Sequence, residues 1–161
     1  MDLTLTDEYI DPHTDAADII IRIGTLSDSS LRARELGKQT YYLAASPDYV
    51  AQYGKPQSPS DLATHRCLIY SGYSGNNQWY FKSLNQSWYQ QSLSPSLVSN
   101  NAEALLVSAI NGMGIILFPD WLIGKYLKEG KLISLLGKYE VAIKKEPQNI
   151  SALYPQARHH R

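Results

Sequence analysis

The stretch at residues 18–43, DIIIRIGTLSDSSLRARELGKQTYYL, decides the fold of this chain. It begins with an unbroken run of three isoleucines at residues 19–21 and stops at Gly24. A continuous isoleucine run of this kind is typical of a strand buried on both faces in a parallel sheet. Ligands of open α/β sheets bind outside the carboxyl ends of such strands. We therefore expect the polar loop that follows, residues 25–30, to belong to a binding site.

Composition limits the classes of protein to which the chain can belong. Its 161 residues, 43% of them hydrophobic, are enough to bury a core in one ordinary domain or two small lobes. Fifteen basic residues balance fifteen acidic ones, so the chain has no net positive charge with which to bind DNA through its own surface. The single cysteine, Cys67, permits no internal disulfide and fits a reducing compartment. With no apolar stretch near the roughly 20 residues of a membrane helix, and no secretory signal pattern, we expect a cytoplasmic protein without membrane contact.

Strand and helix patterns alternate along the chain. Strand patterns occupy residues 2–6, 19–23, 31–36, 40–45, 67–70, 114–118, 131–136 and 150–154. Helix signals mark residues 48–53, 59–65, 102–110 and 121–128, and a β-hairpin is predicted from residues 79–83 and 87–93. The alternating pattern at residues 2–6 predicts a half-buried strand, and the apolar residues 114–118 predict a second buried strand of the parallel type. The order of elements favours an α/β fold with a mostly parallel sheet, or two such sheets.

A search for catalytic patterns finds none. The chain has no Gly-x-Gly-x-x-Gly, no phosphate loop and no Gly-x-Ser-x-Gly. Its histidines do not converge with Cys67 at the spacing of metal ligands, and its carboxylates form no pair suited to acid–base catalysis. The sequence therefore predicts no enzyme, no metal and no cofactor.

Two polar segments offer backbone N–H groups and small side chains at strand ends. One is the loop at residues 25–30, and the other is residues 99–101, which precede a helix pattern with Glu103 in its first turn. A helix N-terminus presents N–H donors and a favourable dipole to an anion such as a carboxylate. Considered alone, residues 99–101 are better explained by ordinary helix capping. The candidate ligand-binding residues are Thr25, Leu26, Ser27, Asp28, Ser29, Ser99, Asn100 and Asn101.

Six short patterns resemble, in order, the effector-binding domain of LysR-type transcriptional regulators. They are D-(apolar)3-R-I-G-x-L-x-D-S-S-L-x-A-R-x-L-G at 18–37, A-S-P-x-Y at 45–49, P-x-D-L-x-x-H-x-C-L at 59–68, N-A-E-A-L at 101–105, G-x-G-I-x-x-x-P at 112–119 and A-L-Y-P at 152–155. Their shared order along nearly the whole chain carries the resemblance.

The resemblance implies a type 2 periplasmic-binding-protein-like fold, with two Rossmann-like α/β lobes and a ligand cleft. The first lobe would comprise residues 1–43 with residues 149–161 returning to it, and the second residues 44–148. In such regulators a small effector in the cleft shifts a homo-oligomer, which repositions winged helix-turn-helix domains on DNA. The positions that match the effector contacts here are residues 25–29 and 99–101.

The chain also departs from the family pattern. The DNA-binding helices, the linker helix, the first strand and helix of the effector domain and the final helix have no counterpart in this sequence, so we expect a truncated domain with an incomplete first lobe. Such a lobe would expose a sheet edge and apolar surface, which predicts self-association. Two alternatives stay open: a solute-binding receptor of the same fold, and a small α/β enzyme.

Overall fold

A computed structural model describes residues 1–6, 17–24, 32–72, 78–146 and 148–154. The strands are β1 Ile20–Gly24, β2 Arg32–Lys38, β3 Tyr41–Ala45, β4 Cys67–Tyr70, β5 Gln78–Lys82, β6 Tyr89–Ser92, β7 Pro95–Ser99, β8 Ile116–Pro119, β9 Ile133–Leu135, β10 Glu140–Ala142 and β11 Asn149–Tyr154. The α-helices are α1 Pro47–Tyr53, α2 Ala102–Ile110 and α3 Asp120–Lys128, and a 3-10 helix covers Pro59–Thr64.

The chain divides into two compact units. The first consists of Met1–Gln39 and Glu146–Arg161, and the second of Thr40–Lys145. The division predicted from the sequence, residues 1–43 with 149–161 and residues 44–148, stays a prediction. Among the described residues, no helix is long and apolar enough to cross a membrane.

The first unit contains a three-stranded sheet in which β11 lies between β1 and β2 and runs antiparallel to both. One face is packed, since Ser151 and Leu153 of β11 are buried. On the opposite face Ile19 and Ile21 are 62% and 65% exposed. The prediction that residues 19–23 form a strand buried on both faces of a parallel sheet is therefore wrong. A strand is buried on both faces only where other elements cover both faces of its sheet. Among the described residues of this unit no helix is present to cover the second face.

Residues 2–6 were predicted to form a half-buried strand, and this prediction is also wrong. Residues 1–6 belong to no strand and are exposed, with Leu3 and Leu5 at 71% and 85%. Alternating polar and apolar residues are compatible with a strand that has one polar and one apolar face. A segment this short forms a strand only where a neighbouring strand pairs with it through backbone hydrogen bonds.

The second unit is built on a mixed sheet. Strand β3 pairs antiparallel with β8 and β9, and β4 pairs parallel with β7. The N–H of Leu68 donates to the carbonyl of Ile115 (2.9 Å) and the N–H of Ile115 to that of Arg66 (2.8 Å), which joins β4 to β8 in parallel. The resulting order is β7-β4-β8-β3-β9, with β3 alone reversed. Four of its five strands run in the same direction, but two of its four pairings, those of β3 with β8 and β9, are antiparallel, so the sheet is mixed and not the mostly parallel sheet predicted from the sequence.

Both faces of this sheet are covered. On one face α2 and α3 contribute to what we call the helix-side core, which consists of Ala44, Leu68, Leu105, Leu106, Ala109, Ile116, Phe118, Ile123 and Leu132. The other face packs on α1, the 3-10 helix and a small antiparallel sheet of order β10-β5-β6. The hairpin formed by β5 and β6 was predicted from the sequence and is confirmed.

Helix ends lie where the sequence predicted them. The Ser46 hydroxyl accepts from the N–H of Tyr49 (3.1 Å) at the start of α1, and the Asn101 side-chain carbonyl accepts from the N–H of Ala104 (2.9 Å) at the start of α2. Beyond the end of α2 the chain turns at Gly112, whose φ of 83° favours glycine. The four predicted helices are confirmed, although residues 59–64 form a 3-10 helix. Strands β7 and β10 were not predicted.

Candidate ligand-binding site

Several strands of the second unit meet at one edge of its sheet. Strands β4, β7 and β8 end there at Tyr70, Ser99 and Pro119, and the reversed strand β3 begins there. The N–H of Ser71 donates to the carbonyl of Ser99 (2.9 Å), which holds the ends of β4 and β7 side by side. Because ligands of α/β sheets bind outside the carboxyl ends of the strands, this edge is the place in the second unit to look for a binding site.

Ser99, Asn100 and Asn101 connect β7 to α2 at this edge. The hydroxyl of Ser99 accepts from the N–H of Asn101 (3.0 Å), so the turn into the helix is fixed by its own side chains. Ser99 is half-buried, whereas Asn100 and Asn101 are exposed. The first N–H groups of a helix have no partner within the helix, and they point out of its N-terminus. This turn therefore combines hydroxyl, amide and N–H groups that can hold an oxygen-bearing ligand.

Tyr70 and Gly72 lie at the same edge, and the sequence reasoning missed both. Tyr70 is half-buried and packs on the helix-side core together with Ala102, the first residue of α2. Its ring centroid lies 6.3 Å from that of Phe118. A Cβ atom added to Gly72 would overlap the far end of the Tyr70 ring. The signal that identifies these residues is their position directly at the end of a buried strand.

The charged side chains near the ends of β4, β7 and β8 are acidic. In the described segments 68–72, 97–103 and 116–120 they are those of Glu103 and Asp120, and these segments contain no lysine or arginine. The carboxylate of Asp120 accepts from the N–H of Trp121 (2.9 Å) at the start of α3. An anionic group at these segments would therefore be held by N–H and hydroxyl donors rather than by an ion pair.

The predicted site residues have two different outcomes. Ser99, Asn100 and Asn101 are brought to the carboxyl edge of the sheet, next to the end of β4. Thr25, Leu26, Ser27, Asp28 and Ser29 lie outside the described residues, and their role stays a prediction.

Two titratable residues of the second unit, Cys67 and Tyr49, are buried in its core. Burial raises the pKa of the Cys67 thiol to about 12. Burial also raises the pKa of Tyr49, whose hydroxyl lies 2.7 Å from Nδ1 of His65 and accepts from the N–H of Arg66. In the part of the chain that the structure describes, no group of three or more His, Cys, Asp or Glu side chains is placed to hold a metal ion.

The family model described as the LysR substrate binding domain matches residues 2–161. The chain belongs to this LysR family. The type 2 periplasmic-binding-protein-like fold predicted from the sequence is thereby confirmed, as is the resemblance to the regulatory, effector-binding domains of LysR-type transcriptional regulators.

Individual members of the LysR family are similar to this chain in sequence and in structure. The chain is 34% identical over 159 residues to an uncharacterized HTH-type transcriptional regulator of Haemophilus influenzae. These residues cover 99% of this chain and 54% of that protein. The regulatory domain of CrgA from Neisseria meningitidis has a TM-score of 0.78 at 33% identity, covering 94% of this chain and 72% of that one. The regulatory domain of AphB from Vibrio vulnificus has a TM-score of 0.79 at 27% identity, covering 99% and 76%. The chain spans about half the length of the curated relatives it matches.

Proposed function

We propose that this LysR-type domain binds a small-molecule effector at the carboxyl edge of the sheet in its second unit. The observation that carries the proposal is the hydrogen bond between Ser71 and Ser99, which places the end of β4 beside the start of α2. Hydroxyl, amide and N–H groups are concentrated there, and a carboxylate is one ligand group that they suit. From the sequence pattern alone, we propose that residues 25–29 also contact an effector.

We further propose that effector binding acts on DNA through the oligomer of a longer regulator. The relatives are HTH-type transcriptional regulators, of which the chain spans about half. Because the 161 residues carry no net charge, we assign DNA contact to a winged helix-turn-helix domain rather than to this domain. The exposed Ile19, Ile21 and Leu36 of the first unit support a homo-oligomer.

A regulator of this kind works in the cytoplasm and needs no catalytic step. The relatives are named as regulators, and the thiol of Cys67 is fully buried with a raised pKa, which makes it a poor nucleophile. We therefore propose a cytoplasmic binding domain that is not an enzyme.

A thermal-shift screen of the chain against amino acids, aromatic acids and short carboxylates tests the effector proposal. A ligand that binds the folded state stabilises it by about 2.7 kcal/mol at a hundredfold excess over its Kd, so an effector should raise the Tm. The screen is repeated with Asn101→Asp, which keeps an oxygen to cap α2 but adds a negative charge at the proposed site.

We expect the ligand-induced rise in Tm to be lost in Asn101→Asp and kept in Asn85→Asp. The second variant makes the same chemical change in the exposed turn of the β5–β6 hairpin, at a residue whose φ of 64° aspartate tolerates. An unchanged response in Asn101→Asp would show that the ligand binds elsewhere. No response to any compound in the wild-type chain would contradict the effector proposal itself.

A further inference from the structure

We propose that Tyr70 is a specificity-determining residue of the effector site, that it selects effectors carrying a planar ring, and that Gly72 sets the position of its ring. The inference rests on the proposed function, because it concerns the same edge of the second unit. It goes further by naming the class of ligand and the side chain that recognises it.

The position of Tyr70 brings its ring to the start of α2. It is the last residue of β4, and the next residue, Ser71, is hydrogen-bonded to Ser99. Its ring packs on the helix-side core with Ala102 of the first turn of α2, and tilts by 60° against the ring of Phe118. Tyr70 is only half-buried, and it lies directly opposite Ser99 in the pairing of β4 with β7. A ligand held by residues 99–101 would therefore lie next to this aromatic side chain.

Gly72 determines where the Tyr70 ring can lie. A Cβ atom at Gly72 would overlap Cζ, Oη and Cε1 of Tyr70, so the backbone passes directly over the far end of the ring. Only glycine leaves room for this arrangement. The overlapping atoms are at the tip of a flexible side chain, so a larger residue at position 72 would displace the ring with little damage to the core.

The chemistry of the edge favours recognition of a ring rather than of a charge. Its charged side chains in segments 68–72, 97–103 and 116–120 are the acidic Glu103 and Asp120, so no ion pair from these segments discriminates between anions. Aromatic rings attract one another at centroid distances of about 4.5–7 Å, in offset or edge-to-face arrangements. A planar ring can adopt this contact with Tyr70, whereas a puckered saturated ring of the same size presents no π face.

Two pairs of probes isolate this contact: benzoate with cyclohexanecarboxylate, and phenylacetate with cyclohexylacetate. Within each pair the carboxylate and the number of carbon atoms are the same, and only the ring differs. Isothermal titration calorimetry of the wild-type chain should give a Kd lower for the planar member by roughly 3- to 10-fold, the range of an aromatic pair contact. We expect Tyr70→Leu to reduce the ratio to about 1, and Tyr70→Phe to keep it.

Gly72→Ala tests the second half of the inference. We expect it to lower the planar preference while the Tm changes little, because the displaced atoms are at the end of a side chain. Gly137→Ala is the matched control, since a Cβ atom there meets nothing within 4 Å. A preference that survives Tyr70→Leu, or equal affinities for both members of each pair in the wild-type chain, would overturn the inference.

The outcomes also separate this inference from the proposed function. If the ring-bearing probes bind in a way that depends on Asn101, but with equal affinity for the planar and the saturated member of each pair, the effector site stands and the role of Tyr70 is refuted. If none of the probes and no compound of the thermal-shift panel binds, both proposals are refuted.

Discussion

Gly114 lies at the point where β4 and β8 come together, and its missing side chain is a condition of that contact. A Cβ atom at this position would lie 2.7 Å from the carbonyl oxygen of Arg66 and 2.9 Å from Cδ2 of Leu68. Because the nearer atom belongs to the backbone, it cannot move without disturbing the sheet. We expect Gly114→Ala to lower the free energy of unfolding by about 1–3 kcal/mol, measured by urea denaturation.

Gly124→Ala provides a control of opposite sign. Gly124 lies inside α3, and a Cβ atom there meets nothing within 4 Å. Replacing glycine by alanine in a helix interior stabilises by about 0.5–1 kcal/mol. Equal effects of the two substitutions would contradict the close approach of β4 and β8 at Gly114.

The buried thiol of Cys67 makes stability depend on pH. Burial raises its pKa from 9.0 to about 12, so the folded state holds this proton more tightly than the unfolded state. Its contribution is complete below about pH 9 and is lost as the pH rises toward 12. We expect the free energy of unfolding to fall above pH 9, by at most about 1.4 kcal/mol per pH unit from this thiol. Urea denaturation between about pH 8 and 10.5 should show that the free energy of unfolding falls less steeply with pH in Cys67→Ala than in the wild-type chain. Equal slopes in the two proteins would contradict the account.

At the scale of elements, a hydrogen-bonded tyrosine connects α1 to the start of β4. The Tyr49 hydroxyl accepts from the N–H of Arg66 (3.1 Å) and forms a second hydrogen bond with Nδ1 of His65 (2.7 Å). We expect Tyr49→Phe to lower the free energy of unfolding by about 1–3 kcal/mol, because it leaves the Arg66 N–H without this acceptor. The measurement is urea denaturation at neutral pH.

Tyr53→Phe is the matched control for this prediction. It removes a hydroxyl from the next turn of the same helix but keeps the ring that lies 5.0 Å from the Arg66 guanidinium. We expect a change below about 0.5 kcal/mol. A loss as large as that of Tyr49→Phe would mean that the bonds to His65 and Arg66 do not hold α1 in place.

Local signals in the sequence predicted the helices and the cap at the candidate site. Ser46 before Pro47, and Asn101 before Ala102, identify helix starts because a short polar side chain satisfies an N–H of the first turn. Such signals need only a few neighbouring residues. For the same reason the two asparagines and the serine of the candidate site could be located from sequence alone.

Features that depend on distant partners were not predictable in this way. The isoleucines of residues 19–21 were expected to be buried on both faces, but burial depends on what covers a strand and not on the strand itself. Strand β7 begins at Pro95 and contains two serines, and it forms through parallel pairing with β4. Tyr70 and Gly72 were missed because the contact of Tyr70 with Gly72, and that of the Tyr70 ring with Phe118, exist only in the folded unit.

At the scale of the whole molecule, the exposed face of the first unit predicts self-association. Ile21 is 65% exposed on the same face as Ile19, and apolar patches of this kind mark interaction surfaces. We expect Ile21→Lys to shift sedimentation-velocity profiles toward the monomer. Leu84→Lys, in the exposed turn of the β5–β6 hairpin, should leave them unchanged. An association state that is insensitive to Ile21→Lys would contradict the assignment of the interface to this face.

The central claim is that an effector binds at the carboxyl edge of the second unit, and amide NMR of the chain tests it most directly. The titrant is the compound that gives the largest rise in Tm in the screen. The account predicts the largest chemical-shift changes at Tyr70, Ser71 and Gly72 and at residues 99–103. Largest changes in the β5–β6 hairpin, or in α3 away from its first turn, would contradict it.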